Sequence, residues 1–170
     1  KKEKLEDFKA AISSTVRSIS NSKKIEVTFG NQISKPKNNS INLPNLERQN
    51  KILNFEEIRA IADSKSLIVR FSDKEIFKKY EPVGNISKKL YNISEKIRCE
   101  KIGTSYFQGV KNNIEKFYQK RVSGLDLKKS EEKIIESFEN LLRVNFLDFK
   151  NEAQLDKKLK TYKKDLSDNF

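Results

Sequence analysis

The sequence predicts an α+β fold, mostly α-helical, with a small sheet of two or three strands. Three observations lead there. Apolar residues recur at helical spacing along most of the chain, as with Ile86, Leu90, Ile93 and Ile97 at i, i+4, i+7 and i+11. One short stretch, Lys24 to Phe29, alternates instead, with Ile25, Val27 and Phe29 on one side and Glu26 and Thr28 on the other. Charged residues make up 35% of the chain and apolar ones only 35%, which leaves a modest core between long solvated helical faces.

The elements follow in order. Leu5, Phe8, Ile12, Val16 and Ile19 mark an amphipathic helix over about residues 4–20, ended by Ser20-Asn21-Ser22. The strand at 24–29 is closed by Gly30-Asn31. Residues 31–46 carry little pattern and read as a loop, with a short strand candidate at Ile41–Leu43. Residues 47–62 become helical towards their end, and Leu67 to Phe71 reads as a further strand. Ser72 is placed to cap a helix through Tyr80, with Glu75 completing a capping box and Phe71 and Ile76 forming a hydrophobic staple.

Pro82-Val83-Gly84 breaks the chain before the central helix, about 86–102. Its apolar stripe continues onto Glu100, while Tyr91, Glu95, Arg98 and Ile102, with Cys99 near them, occupy the other side. A helix with groups seeking contacts on two sides belongs in the middle of the fold. Gly103 reads as its stop and Thr104 or Ser105 as the next cap. Phe107, Val110, Ile114, Phe117 and Arg121 then lie near one helical face, and Ser123-Gly124 forms a turn. Ser130 with Glu131 and Glu132 opens another helix, whose apolar face is Ile134, Phe138, Leu141 and Leu142. Leu155, Leu159, Tyr162 and Leu166 mark a last one. Two units are expected: a main domain over 1–124 and a helical hairpin over 125–170 packed on it.

The composition limits the chemistry. There is no His, so the commonest general base and metal ligand is missing. The single Cys99 has no His to activate it, no ligand cluster around it in sequence and no second Cys to bridge to. No phosphate-cradling P-loop occurs. No catalytic residue, cofactor site or metal site is therefore assigned. One cysteine fits a cytoplasmic protein, and no apolar run is long enough to span a membrane. The absence of Met suggests a piece of a longer chain. The net charge of +12 raises nucleic-acid binding as an alternative. The excess is mostly Lys interleaved with acids, without an arginine and aromatic platform, and so disfavours it. Glu100 on an apolar stripe needs a buried partner, for which Arg59, Arg70 and Arg98 are candidates. Asp63-Ser64 reads as a cap or turn.

Five segments in order carry a family resemblance: F-K-A-A-I-S-S-T-V-R-S-I-S (8–20), I-E-V-T-F-G (25–30), L-P-N-L (43–46), I-R-A-I-A-D-S-K-S-L (58–67) and E-K-I-R-C-E-K-I-G-T-S-Y-F-Q-G-V-K-N-N-I (95–114). Together they resemble the N-terminal part of the CobT subunit of the aerobic, ATP-dependent cobaltochelatase. Arg59, Asp63, Ser64, Leu67, Glu95, Arg98, Glu100, Gly103, Gly109, Val110 and Asn113 fall on that family's pattern. The sequence departs from it at Ala60, where Gly is common, and at Ser72 and Phe77, where His is frequent.

The resemblance implies a place in cobalt insertion into hydrogenobyrinic acid a,c-diamide, in cobalamin biosynthesis. It implies an AAA+ ATPase subunit and a large corrin-binding subunit as partners, with a homo-oligomer also open. ATP, magnesium and cobalt then belong to the whole complex. The family's von Willebrand A domain is absent from this chain: Asp165-Leu166-Ser167-Asp168-Asn169 begins a D-x-S-x-S string but ends in Asn. The expected function is a non-catalytic assembly domain. The alternatives are a nucleic-acid-binding or generic scaffold module, or the same machinery serving another client. Arg59, Asp63, Glu95 and Arg98 are expected to form one face, structural first and partner-contacting second.

Overall fold

The computed structural model describes residues 2–30, 39–48, 51–52, 55–123 and 130–147, with the isolated positions 160, 163, 164 and 167. Expectations for residues 31–38 of the 31–46 loop, for the turn at Gly124, and for the last helix and its hairpin lie outside them. The described elements are α1 (Lys2–Ile19), β1 (Glu26–Phe29), β2 (Ser40–Leu43), β3 (Glu47–Arg48), β4 (Lys51–Ile52), α2 (Phe55–Phe71), α3 (Lys74–Lys79), α4 (Asn85–Tyr106), α5 (Gln108–Ser123) and α6 (Ser130–Leu147). The fold is mostly helical with minor β structure, as the periodicity predicts.

α1 buries the stripe its spacing marks: Phe8, Ile12, Val16 and Ile19. Its end is a left-handed cap. Asn21 takes φ 53, and the Ser22 and Asn21 amides donate to the Arg17 and Ser18 carbonyls at 3.1 and 3.2 Å, which satisfies the last turn. β1 pairs in parallel with β2, Val27 beside Ile41 and Phe29 beside Leu43. On β2 the alternation is plain, with Ile41 and Leu43 buried and Asn42 exposed. Gly30 closes β1 at φ 97, a conformation that favours glycine, and its amide donates to the Leu43 carbonyl at 2.9 Å. β3 and β4 form a separate antiparallel pair, so the start of the 47–62 stretch is extended and its helix begins only at Phe55.

The short strand expected at Ile41–Leu43 is β2, but the one expected at Leu67 to Phe71 does not exist. Leu67 to Phe71 is the last turn and a half of α2. A short run of Leu, Ile and Val cannot be told from buried helix by pattern alone. Here the helical period is masked, because α2 buries Ala60, Ala62, Asp63, Ser64 and Ser66 beside Ile58 and Leu67. The start of α3 is also one residue later than its motif suggests. Asp73, not Ser72, is the N-cap, and its carboxylate accepts from the Glu75 and Ile76 amides at 2.9 and 3.0 Å. Ser and Asp are both good caps, and the competition went to the carboxylate, which also suits the helix dipole.

Two core clusters share α2. One joins α1, β2 and the first half of α2 through Phe8, Ile12, Leu43, Ile58 and Ala62. The other joins the second half of α2 to α4, α5 and α6 through Leu67, Cys99, Val110, Ile114, Tyr118 and Leu147. α4 packs on α2, α5 and α6, as a central helix should. Its burial is confined to the later half, at Ile97, Cys99, Glu100 and Gly103. Gly103 does not stop it: α4 runs on to Tyr106, with Phe107 as C-cap. Gly103 is where α4 meets α2, since a Cβ there would lie 2.2 Å from Leu67 Cδ2. Thr104 and Ser105, inside α4, donate back to the Lys101 and Ile102 carbonyls and cap nothing.

Candidate functional site

Glu100, on the continuation of an apolar stripe, is fully buried. Its partners are Ser64, whose hydroxyl donates to Oε1 at 2.5 Å, and Arg143 of α6, whose Nη1 donates to Oε2. None of the three arginines expected beside it is there. Arg70 donates to the Ile19 carbonyl at 2.9 Å and Arg98 to the Phe71 carbonyl at 2.8 Å, each at the last residue of a helix, where a cation is favourable. Arg59 stands over the Phe8 ring, 5.9 Å from its centroid. Asp63 and Ser64 cap nothing: both face inward from the middle of α2.

The Glu100 pair is the deepest part of a larger network. Arg143 also donates to Glu139 Oε1 at 2.8 Å through Nη2, and its guanidinium lies 3.3 Å from the Tyr118 ring centroid. Lys96 donates to the Tyr118 hydroxyl at 2.6 Å and reaches Glu139 at 3.4 Å. Arg121 reaches Glu136 at 2.9 Å, and Asn140 donates to the same carboxylate at 3.2 Å. Three carboxylates thus face three cations across α4, α5 and α6. Burial alone would push the Glu139 carboxyl up. Lys96, Arg143 and Arg121 outweigh it and hold the group down at about 2. Burial pushes the Tyr118 phenol well above its ordinary range.

Sequence reasoning missed α6's part in this. The expected apolar face of Ile134, Phe138, Leu141 and Leu142 is only half-buried, while Glu136, Ser137, Glu139, Asn140 and Arg143 are buried. A signal was available. Glu136, Asn140, Arg143 and Leu147 stand at i, i+4, i+7 and i+11, a stripe as regular as the apolar one.

The remaining motif residues fall into two further places. Asp63 is buried and accepts from Asn113 Nδ2 at 2.8 Å. Burial raises its carboxyl, with Asn113 and Arg59 offsetting part of the rise. Outside this pair, Arg59, Asn113, Lys116, Phe117 and Lys120 border an open cleft of about 480 Å³ between α2 and α5. At the other end of α2, Arg98 binds Glu95 through two nitrogens, at 2.7 and 2.8 Å. That pairing, with a lesser contribution from Ser72, keeps the Glu95 carboxyl below its usual range. The four residues expected on one face therefore lie at two sites, one at the cleft and one at the α2 terminus. Val110 joins Leu67 and Cys99 in the core, and a Cβ on Gly109 would meet nothing within 4 Å.

Chemically, the arrangement orders helices. Burial, and then Glu95, pushes the Cys99 thiol up to about 12, which keeps it from acting as a thiolate. Among the described residues no three Cys, Asp or Glu side chains converge as a metal-ligating group. No described helix is long and apolar enough to cross a membrane. A family model described as cobalamin biosynthesis protein CobT matches residues 2–143, a span that runs from the first residue of α1 to Arg143 itself. No solved structure matches the chain.

Proposed function

Since this chain belongs to the CobT family of cobalamin biosynthesis proteins, we propose that it is the N-terminal assembly domain of a CobT-like subunit of the ATP-dependent aerobic cobaltochelatase. In this reading it makes no bond itself. It docks with the AAA+ ATPase subunit and, through the assembly, serves the corrin-binding subunit where cobalt, the substrate ion, is inserted. ATP and magnesium are handled by the assembled enzyme.

One observation carries the reading: most of the residues that follow the family pattern are engaged in contacts between helices. Ser64 and Arg143 both meet Glu100 in the core, Asp63 meets Asn113, and Gly103 seats Leu67. A buried charge that loses its partner is costly, so such a network holds its helices in one arrangement. A body held that way presents its outer charged faces without an ordering cost on docking.

The test is binding of the purified chain to the purified ATPase subunit by titration calorimetry, followed by competition. Excess chain added before assembly should lower cobalt insertion by the complete chelatase in proportion to its affinity for the ATPase subunit. An absence of binding together with undiminished insertion would sink the assembly role. Charge reversals at Glu95 and Arg98, and separately at Arg59, then report whether the α2 terminus or the cleft contributes.

A further inference from the structure

We propose that the elbow from α3 into α4 is a docking knob for a partner protein that offers an apolar pocket rimmed by carboxylates. The proposal rests on the assembly reading and assigns its contact surface.

Nothing in α3 is buried. Ile76 is 57% exposed, Tyr80 63%, Val83 94% and Ile86 37%, all within residues 76–86. These account for four of the seven large apolar side chains most open to solvent among the described residues. Ile76 and Tyr80 are one helical turn apart. Val83 stands at the bend, and Ile86 follows in the first turn of α4. An apolar patch concentrated in one elbow of an otherwise highly charged chain marks a contact surface.

The elbow is also held in shape, although a six-residue helix has little stability of its own. Asp73 caps it, Phe77 stacks on Tyr91 with centroids 4.6 Å apart, and the Tyr91 hydroxyl donates to the Phe77 carbonyl at 3.1 Å. Lys88 reaches Glu81 at 3.7 Å across the bend. The inner side of α3 thus anchors on α4 while its outer side offers aromatic and aliphatic anchors in a fixed geometry. Rigid anchors of that kind are what bind most strongly at protein interfaces.

Charge selects the occupant. Lys78 and Lys79 have no ion pair among the described residues, and Lys79 lies over the Tyr80 ring, 5.3 Å from its centroid. Both would meet carboxylates at the rim of a partner's pocket. A second copy is disfavoured, because a two-fold contact at the elbow would set this lysine pair against its own image. An anionic lipid surface is disfavoured because a continuous anionic plane would face Asp73, Glu75 and Glu81 as well as the lysines, whereas a pocket rim can set its carboxylates beside Lys78 and Lys79 alone.

The experiment compares wild type with Tyr80→Ser/Val83→Ser and with Lys78→Glu/Lys79→Glu. Each is titrated against the ATPase subunit and against vesicles one-third phosphatidylserine, and its self-association is followed by sedimentation. At least tenfold weaker binding to the ATPase subunit by both double variants, with wild-type melting, is expected. Equal affinities would overturn the elbow and leave the assembly reading standing. A wild-type chain that does not bind the subunit would overturn both. A defect seen only with vesicles, or only in self-association, would assign the elbow to lipid or to a second copy and overturn the proposal. Should a variant melt early, a photo-crosslinking residue at Val83 decides. Transfer to the ATPase subunit supports the proposal, and its absence overturns it.

Discussion

Glu100 and Arg143, forty-three residues apart, form an ion pair with neither side chain more than 1% exposed. Removing one member leaves a buried charge without its counterion. Glu100→Ala is expected to cost about 3–5 kcal/mol, and Arg143→Ala a similar amount. Glu100→Leu/Arg143→Met removes both charges, and should lose less than the sum of its single replacements by about 1–3 kcal/mol. Urea denaturation of the four single replacements and of this pair checks it. Strict additivity in the Leu and Met series would mean that the pair does not couple α4 to α6.

Gly103 and Gly109 should respond in opposite directions to alanine. At Gly103 a Cβ would fall 2.2 to 2.9 Å from three atoms of the fully buried Leu67. Gly103→Ala should therefore destabilise by about 1–3 kcal/mol through overpacking, despite a better helix propensity. At Gly109 the methyl group meets nothing within 4 Å, so Gly109→Ala should stabilise by about 0.5–1 kcal/mol. Thermal melts of the two variants test the pair. A neutral Gly103→Ala would mean that α2 and α4 can move apart without loss.

What was legible in the sequence is what repeats with a period. α1, α4, α5 and the alternation in β1 were readable because each sets apolar residues at regular intervals, and burial follows them at Val16, Ile97 and Ile114. α2 was half hidden, because a helix buried by Ala, Ser and Asp shows no apolar period, and its Leu67–Phe71 end imitates a strand. The partner of Glu100 was illegible for a different reason. Three arginines closer in sequence were chemically acceptable, and only the packing of α6 decides among them. The parallel pairing of β1 with β2 is likewise not readable from either strand's own residues.

Acid should loosen the α4–α5–α6 network. The Glu139 carboxyl is held at about 2 in the folded protein, below its ordinary 4.5. A group depressed in this way stabilises the fold above its unfolded pKa and loses that contribution as pH falls from about 4.5 towards 2. The difference corresponds to about 3 kcal/mol at neutral pH. Asp63 acts in the opposite sense. Its raised carboxyl favours the fold below 3.8 and withdraws that contribution as pH rises through the folded value. Denaturation midpoints between pH 7 and pH 2.5 should therefore fall steeply below pH 4.5, and less steeply in Glu139→Gln. An identical slope in the variant would remove Glu139 from the network's energetics.

Cys99 should be chemically silent until the fold opens. It is fully buried between α4 and its neighbours, and burial followed by the Glu95 carboxylate raises its thiol to about 12. At pH 8 that leaves a thiolate fraction of roughly one in ten thousand, against roughly a quarter for a free cysteine with pKa about 8.5. Burial further denies the reagent access. Labelling by a disulfide reagent should therefore run at least about a thousandfold slower than on a model thiol, and in denaturant it should reach the model rate. Arg98→Ala should speed labelling of the native chain, since Arg98 braces Glu95 and donates to the Phe71 carbonyl that closes α2 over this corner. Prompt labelling of the native wild-type chain would mean that the α2–α4 contact opens far more readily than its packing implies. The Leu67–Gly103 seat, which lies one helical turn along α4 from Cys99, would then open with it.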